Sequence, residues 1–278
     1  MSMDRRDFLK IAGISSILGF GASVASATNL ITDKKLLPPQ VDKNPTALIA
    51  KRWAMVVDMS KFKTDEDFQK TISACHNAHN VPDFRKPDGS PDKKLEVKWI
   101  WKTSYEHAFP GMESPYQSEH VKDMPFLVLC NHCTNPACVR VCPTKATYKL
   151  PDGITMQDMH RCIGCRFCMA ACPYGARSFN WVDPRTAPNL AKELPNREYP
   201  TRTKGVVEKC TFCTERLSVG KIPACVEAAP AGALLFGDLE DPNSEIRKII
   251  GEKLTIRRKP ELGTGPAIYY LIGGGEHA

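Results

Sequence analysis

The residues of this chain best suited to chemistry are its cysteines, and all but one of the twelve fall into three short runs. One run, residues 162–173, reads CIGCRFCMAACP, which is a C-x2-C-x2-C-x3-C-P spacing. This spacing binds a [4Fe–4S] cubane, because three thiolates on one tight loop take three corners and the fourth lies on the next helix and reaches a neighbouring cluster. The run therefore indicates one-electron transfer.

A second run lies just upstream and differs only in its loop. It reads Cys130-x2-Cys133-x4-Cys138-x3-Cys142-Pro143, and Asn135-Pro136 in the longer loop indicates a turn. Because each fourth cysteine crosses to the other cluster, the two runs predict two metal sites. Site A is predicted to consist of Cys130, Cys133, Cys138 and Cys172. Site B is predicted to consist of Cys142, Cys162, Cys165 and Cys168.

Short strands are expected to position these runs. Residues 148–155, between the runs, predict a hairpin that turns at Asp152-Gly153. Trp99 and Trp101 are two residues apart, which predicts a strand with both rings on one face, packed in the core. His132 lies inside the second run, and we expect it at the surface.

The third run is incomplete. It reads Cys210-x2-Cys213-x11-Cys225 and is followed by VEAAP, so alanine stands at position 229, where a fourth cysteine would be expected. The only cysteine upstream of the second run is Cys75.

Zinc and disulfides are the alternative uses of these cysteines. Paired C-x2-C motifs also build zinc ribbons, but a ribbon needs only four thiolates, and four-cysteine runs that end in Cys-Pro are unusual there. A disulfide framework is typical of exported proteins.

The N-terminus predicts export in the folded state. Arg5-Arg6 precedes Phe8-Leu9-Lys10, an apolar run follows over 11–24, and Ala25-Ser26-Ala27 is a cleavage site. Residues 1–27 therefore predict a twin-arginine signal peptide, and the apolar run is too short for a comfortable membrane span. We expect an extracytoplasmic, periplasmic-side protein that folds around its clusters before export, which removes the need for disulfides.

Composition excludes several other functions. The net charge is +7, but no basic stripe alternates with aromatic residues, so nucleic-acid binding is not indicated. The Lys and Arg residues are spread along the chain and indicate a solvated surface. No phosphate loop, flavin fingerprint or nucleophile–base pattern occurs, and no C-x-x-C-H motif that would attach haem. We expect no nucleotide, no catalytic residue and no substrate site.

The order of the motifs resembles the four-cluster iron–sulfur subunits of dimethyl-sulfoxide, polysulfide and nitrite reductase complexes. The resemblance covers about residues 50–272 and is carried by CNHCTNPACVRVCPTKATYK, DGITMQDMHRCIGCRFCMAACPYGARSFNW, EKCTFCTERLSVGKIPACVEAAPAGALLFGDL and KPELGTGPAIYYL. The chain is most similar to the three-cluster, twin-arginine-exported type in the menaquinone-linked Dsr complexes of sulfate reducers.

The family has one further cysteine run, shortly after a strand that resembles residues 52–58, and here that run is lost. Phe62 stands where the run should open, and Lys63 to Ile72 contains no cysteine. Cys75 resembles the end of the run, so the resemblance implies that it completes the third site, while Ala229 removes the last ligand of the lost cluster. Site C is then Cys75, Cys210, Cys213 and Cys225. The alternative is that Cys75 is an ordinary buried thiol, in which case site C holds [3Fe–4S] or takes another ligand, such as His76.

The resemblance implies an α+β fold of two bis-cluster ferredoxin-like modules, one inserted in the other. The inner module is expected over 124–182 and the outer module over 48–83 plus 204–240, while 84–123 and the C-terminal extension 241–278 wrap the surface or contact partners. The implied function is electron transfer through three [4Fe–4S] clusters in a quinone-linked respiratory complex of the sulfite and sulfate reduction pathway. The implied partners are a multi-helix quinone-reactive membrane subunit and a cytochrome c subunit. The alternatives are an electron-transfer subunit of a molybdopterin oxidoreductase and a non-redox metal-binding scaffold.

Overall fold

The first strand, β1 (Trp53–Val57), is an apolar run in which every residue is buried. A strand buried on both faces must lie inside a sheet that is covered on both sides. The computed structural model describes residues 44–112 and 114–271, and the predicted signal peptide lies outside them. The chain divides into two units, Met1–Pro45 and Thr46–Ala278, and all elements below belong to the second.

β1 lies inside a four-stranded sheet. It pairs antiparallel with β8 (Leu234–Asp238) and parallel with β10 (Ile268–Leu271), and β9 (Thr255–Ile256) pairs with β10. The C-terminal segment, expected to wrap the surface, therefore supplies two strands of the central sheet as far as residue 271, with Ile268 and Tyr270 buried. Because a parallel pair joins segments that are distant in sequence, no local sequence pattern predicts the pairing of β1 with β10.

Three antiparallel pairs of strands hold the cysteine runs. They are β2 (Ile100–Ser104) with β3 (Pro125–Leu129), β4 (Thr147–Lys149) with β5 (Thr155–Gln157), and β6 (Ser178–Phe179) with β7 (Val207–Glu208). The hairpin predicted at Asp152-Gly153 is confirmed as β4–β5. Trp99, immediately before β2, and Trp101 pack in the core as predicted. Part of segment 84–123 is thus core, not a surface wrap.

A helix of 14 residues, α1 (Asp65–Ala78), presents Cys75. It starts with a capping box, in which Thr64 accepts from the Asp67 amide and the Asp67 carboxylate accepts from the Thr64 amide. Phe68, Thr71 and Cys75 are its buried residues and share one face. That face packs on α7 (Ala224–Ala228), which carries Cys225.

The other helices are short. They are α2 (Tyr105–Ala108), α3 (Glu119–Lys122), α4 (Ala137–Arg140), α5 (Phe167–Ala170), α6 (Thr214–Leu217) and α8 (Glu245–Glu252). Four 3-10 turns, at Met59–Lys61, Pro110–Met112, Pro184–Thr186 and Pro260–Leu262, complete the connections. Among the described residues, no helix is long and apolar enough to cross a membrane.

Gly153 in the β4–β5 turn holds a buried arginine in place. Its φ is +86°, and a Cβ added there would lie 2.0 Å from Nη1 of Arg52, which donates to the Gly153 carbonyl at 2.9 Å. Gly153→Ala should therefore lower the free energy of unfolding by about 3 kcal/mol, since it adds backbone strain and displaces a buried cation.

Gly89 offers a matched control for this change. Its φ is +81°, but no atom lies within 4 Å of an added Cβ. Gly89→Ala should cost only the strain, about 1 kcal/mol. Thermal unfolding of the two variants compares them, and equal losses would contradict the role given to Arg52.

Candidate metal centres

The thiols predicted for site A line one cavity. Its walls include Cys130, Cys133, Cys138 and Cys172, together with Asn131, Thr155, Tyr174, Arg177 and Thr264. The first three cysteines come from the loop between β3 and α4 and from α4 itself, and Cys172 follows α5. The four cysteines are each partly buried. The fold thus gathers the residues that the exchange of fourth cysteines predicts.

The thiols predicted for site B line a second cavity. Cys142, Cys162, Cys165 and Cys168 all border it, and Cys165 is exposed. The Thr147 amide donates to Cys142 Sγ and the Val207 amide donates to Cys162 Sγ, each at 3.5 Å. Amide donors to sulfur stabilise negative charge there and raise the reduction potential of a bound cluster.

The thiols predicted for site C are all buried, with exposures of 3–6%. Cys75 approaches Cys210, Cys213 and Cys225 closely enough that each of the three raises the pKa of its thiol, after the larger effect of burial. The imidazole beside this site is that of His79, whose Nδ1 lies 3.8 Å from Cys75 Sγ. His76 borders a different cavity, with Val81 and Trp101 in its walls, and burial lowers its pKa to about 4.

The first C-x2-C pair of each of the three runs has the same backbone turn. The residue just before the second cysteine of that pair has a positive φ: His132 at 39°, Gly164 at 71° and Phe212 at 54°. Only glycine adopts this conformation freely, so two bulky residues are held there by their surroundings. A turn of this kind directs successive backbone N–H groups into a concavity that favours anions. The repeated turn fits one kind of negatively charged group at all three sites.

The polar atoms around site A also fit such a group. Asn131 Nδ2, Thr155 Oγ1 and Arg177 Nη2 are buried and without a hydrogen-bond partner. Buried donors are normally satisfied, so orphaned donors beside four thiols require an acceptor. The thiolates and inorganic sulfides of a [4Fe–4S] cluster accept such bonds. Each of the predicted sites A, B and C would supply four thiolates, and a bound cluster would add the reversible uptake of one electron.

Burial favours the protonated form of several of these thiols. It raises the pKa of Cys133 and of Cys225 to about 12, and it raises the pKa of Cys213 well above its ordinary value. Since the thiolate is the ligand form, metal loading must displace these protons.

The prediction of a surface position for His132 was wrong. We expected this histidine at the surface, but it is fully buried, and its ring stacks on Phe212 with centroids 3.7 Å apart. Nδ1 accepts from the Thr155 amide at 3.1 Å. Burial lowers the pKa of His132 well below its ordinary value, so the ring is neutral. The stack joins the loops of sites A and C, a contact between residues 80 positions apart that no spacing reveals.

The comparisons agree with this geometry. The family profile described as 4Fe-4S dicluster domain matches residues 123–187 and 183–239. An Hdr-like menaquinol oxidoreductase iron-sulfur subunit 1 from Archaeoglobus fulgidus is 40% identical, and the match covers 99% of this chain and 100% of that protein. A menaquinone reductase iron-sulfur cluster-binding subunit from Nitratidesulfovibrio vulgaris is 35% identical, over 79% of this chain and 88% of its own. A polysulfide reductase subunit from Wolinella succinogenes is 44% identical over 51% of this chain and 64% of its own.

A mixed α/β chain with 4Fe-4S dicluster domains and near full-length relatives of this kind is an electron-transfer protein. It belongs to the family of iron–sulfur subunits of oxidoreductase complexes, which confirms the family that the motifs indicated.

Proposed function

We propose that this chain transfers electrons through three [4Fe–4S] clusters, held at sites A, B and C. The observation that carries the proposal is the gathering of three separate sets of four thiols, with the same left-handed turn in the first C-x2-C pair of each run. One set would suit a structural zinc ion equally well, but three sets in a row suit a chain of redox centres. The chain acts without a substrate site of its own.

Three clusters, not four, fit the residues at the position of the lost run. Phe62 and Phe68 are buried and stacked, with ring centroids 4.7 Å apart. Ala229 packs against the same apolar core. Aromatic and aliphatic side chains thus fill the region that the missing cysteines would have bordered.

The module arrangement is also part of the proposal. The inner module, 124–182, would hold sites A and B, and it would be inserted between the halves 48–83 and 204–240 of the outer module, which holds site C. The packing of α1 on α7 and the pairing of β1 with β8 support it, because both contacts join the outer halves directly.

Metal content tests the proposal. Anaerobically purified chain should contain about twelve irons and as much acid-labile sulfide, four for each cubane. Its broad visible absorption should bleach on reduction with dithionite, and reduced protein should give EPR signals. Iron near sixteen per chain would contradict the count of three. Bound zinc with no bleaching would favour the non-redox scaffold.

The complex we propose is a quinone-linked respiratory complex on the outer side of the cytoplasmic membrane, to which the chain is exported folded by the twin-arginine route. Two relatives are named as menaquinol or menaquinone oxidoreductase subunits, which supports menaquinone and, with the Dsr resemblance, a link to sulfite reduction. The polysulfide reductase relative supports the alternative, a molybdopterin oxidoreductase. The neighbouring genes distinguish the two complexes. Genes for a multihaem cytochrome and a heterodisulfide-reductase-like subunit would support the menaquinone-linked complex, whereas a gene for a molybdopterin subunit would support the alternative.

The proposed partners meet different ends of the series of sites. Site B has the exposed ligand Cys165, and Ile163, Phe167 and Trp181 around it are 66%, 59% and 45% exposed. Large apolar side chains beside an exposed ligand suit a permanent redox contact, so the quinone-reactive membrane subunit is placed here. The site C end, where one cluster is lost, is assigned to a cytochrome c subunit.

One substitution tests the surface at site B. Phe167→Glu should leave the iron content unchanged, because the side chain points outward, but should abolish copurification with the membrane subunit and reduction by quinol. Tyr116 is 95% exposed and does not border a cysteine site, so Tyr116→Glu is the matched control. Equal loss of the complex in both variants, or in neither, would refute the placement.

A further inference from the structure

Three buried cations beside site A have no carboxylate partner within residues 44–112 and 114–271. Arg177, Lys209 and Arg258 are 5%, 0% and 4% exposed. Their hydrogen bonds go to neutral groups: Arg177 donates to Thr147 Oγ1 and Gln157 Oε1, Lys209 to the carbonyls of Thr155 and Cys210, and Arg258 to the Ala108 carbonyl. Buried charges are normally paired, so this set requires a negative group that the side chains do not supply.

The geometry places all three around the same cavity. Arg177 lines site A directly, while its partners Thr147 and Gln157 line site B. Lys209 reaches the carbonyl of Thr155, which lines site A, from a position next to Cys210 of site C. Arg258 covers the ring of Tyr174, also in the wall of site A, at 5.6 Å. Site A thus has Arg177 on the side of site B, Lys209 on the side of site C, and Arg258 on a third wall.

Sites B and C have fewer unpaired buried cations beside them. Site B shares Arg177, which also faces Cys168, and its other cation, Arg166, is exposed, so solvent screens it. Site C shares Lys209, which lies beside Cys210, while Arg216 near Cys225 is paired with Glu227. Site C also has a carboxylate neighbour, since Glu215 Oε1 lies 2.8 Å from His79 Nε2 and close to Cys213.

Reduction of a bound cubane adds one electron and one negative charge, so buried cations favour the reduced form and a neighbouring carboxylate disfavours it. We propose that Arg177, Lys209 and Arg258 give site A the highest reduction potential of the three sites. This inference rests on the proposed function. Site A also lies between the other two, because Arg177 in its wall donates to Thr147 and Gln157 of site B, and the stack of His132 on Phe212 joins its loop to the loop of site C. A single electron that enters at either end should therefore rest at site A.

An EPR-monitored redox titration of the full-length chain tests the inference, with dithionite as the source of the electrons. Arg258→Gln removes a charge beside site A alone. It should lower the highest of the three midpoint potentials by at least about 59 mV, which corresponds to a tenfold change in the ratio of oxidised to reduced cluster. Arg258→Lys should restore most of the shift. Arg166→Gln, which removes an exposed charge beside site B, should leave the highest potential unchanged.

A shift in a lower potential, with the highest unchanged in Arg258→Gln, would overturn the inference. If Arg258→Gln loses iron, the Cys133→Ser variant tests the inference instead. In that variant the EPR signal with the highest potential must change or vanish, and an unchanged signal would overturn the inference. Cys165→Ser and Cys213→Ser, at sites B and C, must leave that signal in place. If the wild-type chain binds no iron, the proposed function itself is refuted. If it binds three clusters but site A does not have the highest potential, only this inference is refuted.

Discussion

Cys75→Ala should remove or convert the cluster at one site and leave the other two intact. Cys75 approaches the other three cysteines of site C from α1, and the remaining eight cysteines line the cavities of sites A and B. Loss of this ligand should lower the iron content from about twelve to about eight, or to about eleven if a [3Fe–4S] form persists with a new EPR signal in the oxidised protein. Iron analysis and EPR of the variant measure the change.

Ser73→Ala is the control for this prediction, because Ser73 lies on the exposed side of the same helix. It should leave iron content and spectra unchanged. An unchanged spectrum and iron content in Cys75→Ala would show that Cys75 is an ordinary buried thiol and that site C has another fourth ligand.

Glu208→Ala should cause the largest loss of stability among single changes away from the thiols. Glu208 is fully buried and accepts from Trp99 Nε1 at 2.8 Å, Asn180 Nδ2 at 2.5 Å and Arg202 Nη2 at 2.5 Å. Its removal leaves the buried Arg202 guanidinium without a counter-charge, which costs about 3–5 kcal/mol. The apparent unfolding temperature should fall by about 10 °C for a chain of this size.

Asp83→Ala tests whether the loss of stability expected for Glu208→Ala is caused by burial of the ion pair. Asp83 pairs with Arg85 at 2.7 Å, but the two side chains are 43% and 51% exposed. Exposed pairs contribute less than about 1 kcal/mol, so this variant should unfold within a few degrees of the wild type. Comparable losses in both variants would mean that the Glu208 network is not a buried ion pair in the loaded protein.

The spacing of the cysteines predicted the groupings at sites A and B, because the geometry of one cubane restricts the loops that can surround it. The assignment of Cys75 to site C came from the family resemblance and not from spacing. The hairpin at Gly153 and the strand at Trp53–Val57 were equally predictable, since turn residues and apolar runs are local signals. The strand Ile268–Leu271 was not predictable as a partner of β1, because its pairing depends on contacts between opposite ends of the chain.

The cations were the main error of the sequence-based prediction. Lys and Arg along the chain were interpreted as a solvated surface, yet Arg177, Lys209 and Arg258 are buried. Composition assigns such residues to solvent because burial of an unpaired charge is costly. That cost disappears where a cluster supplies negative charge, and the sequence does not show which basic residues lie beside one.

The contrast in access between sites B and C bears on how the protein is built and maintained in the cell. All four thiols of site C are buried between α1 and the loops that face it, so iron and sulfide must enter while that helix is still undocked. Cys165 leaves site B open after folding is complete. On the proposed function, site C would have to be filled before α1 docks, whereas site B could be filled afterwards. Oxidative damage at site B would then be repairable in the folded protein, whereas damage at site C would require at least partial unfolding before iron could be replaced.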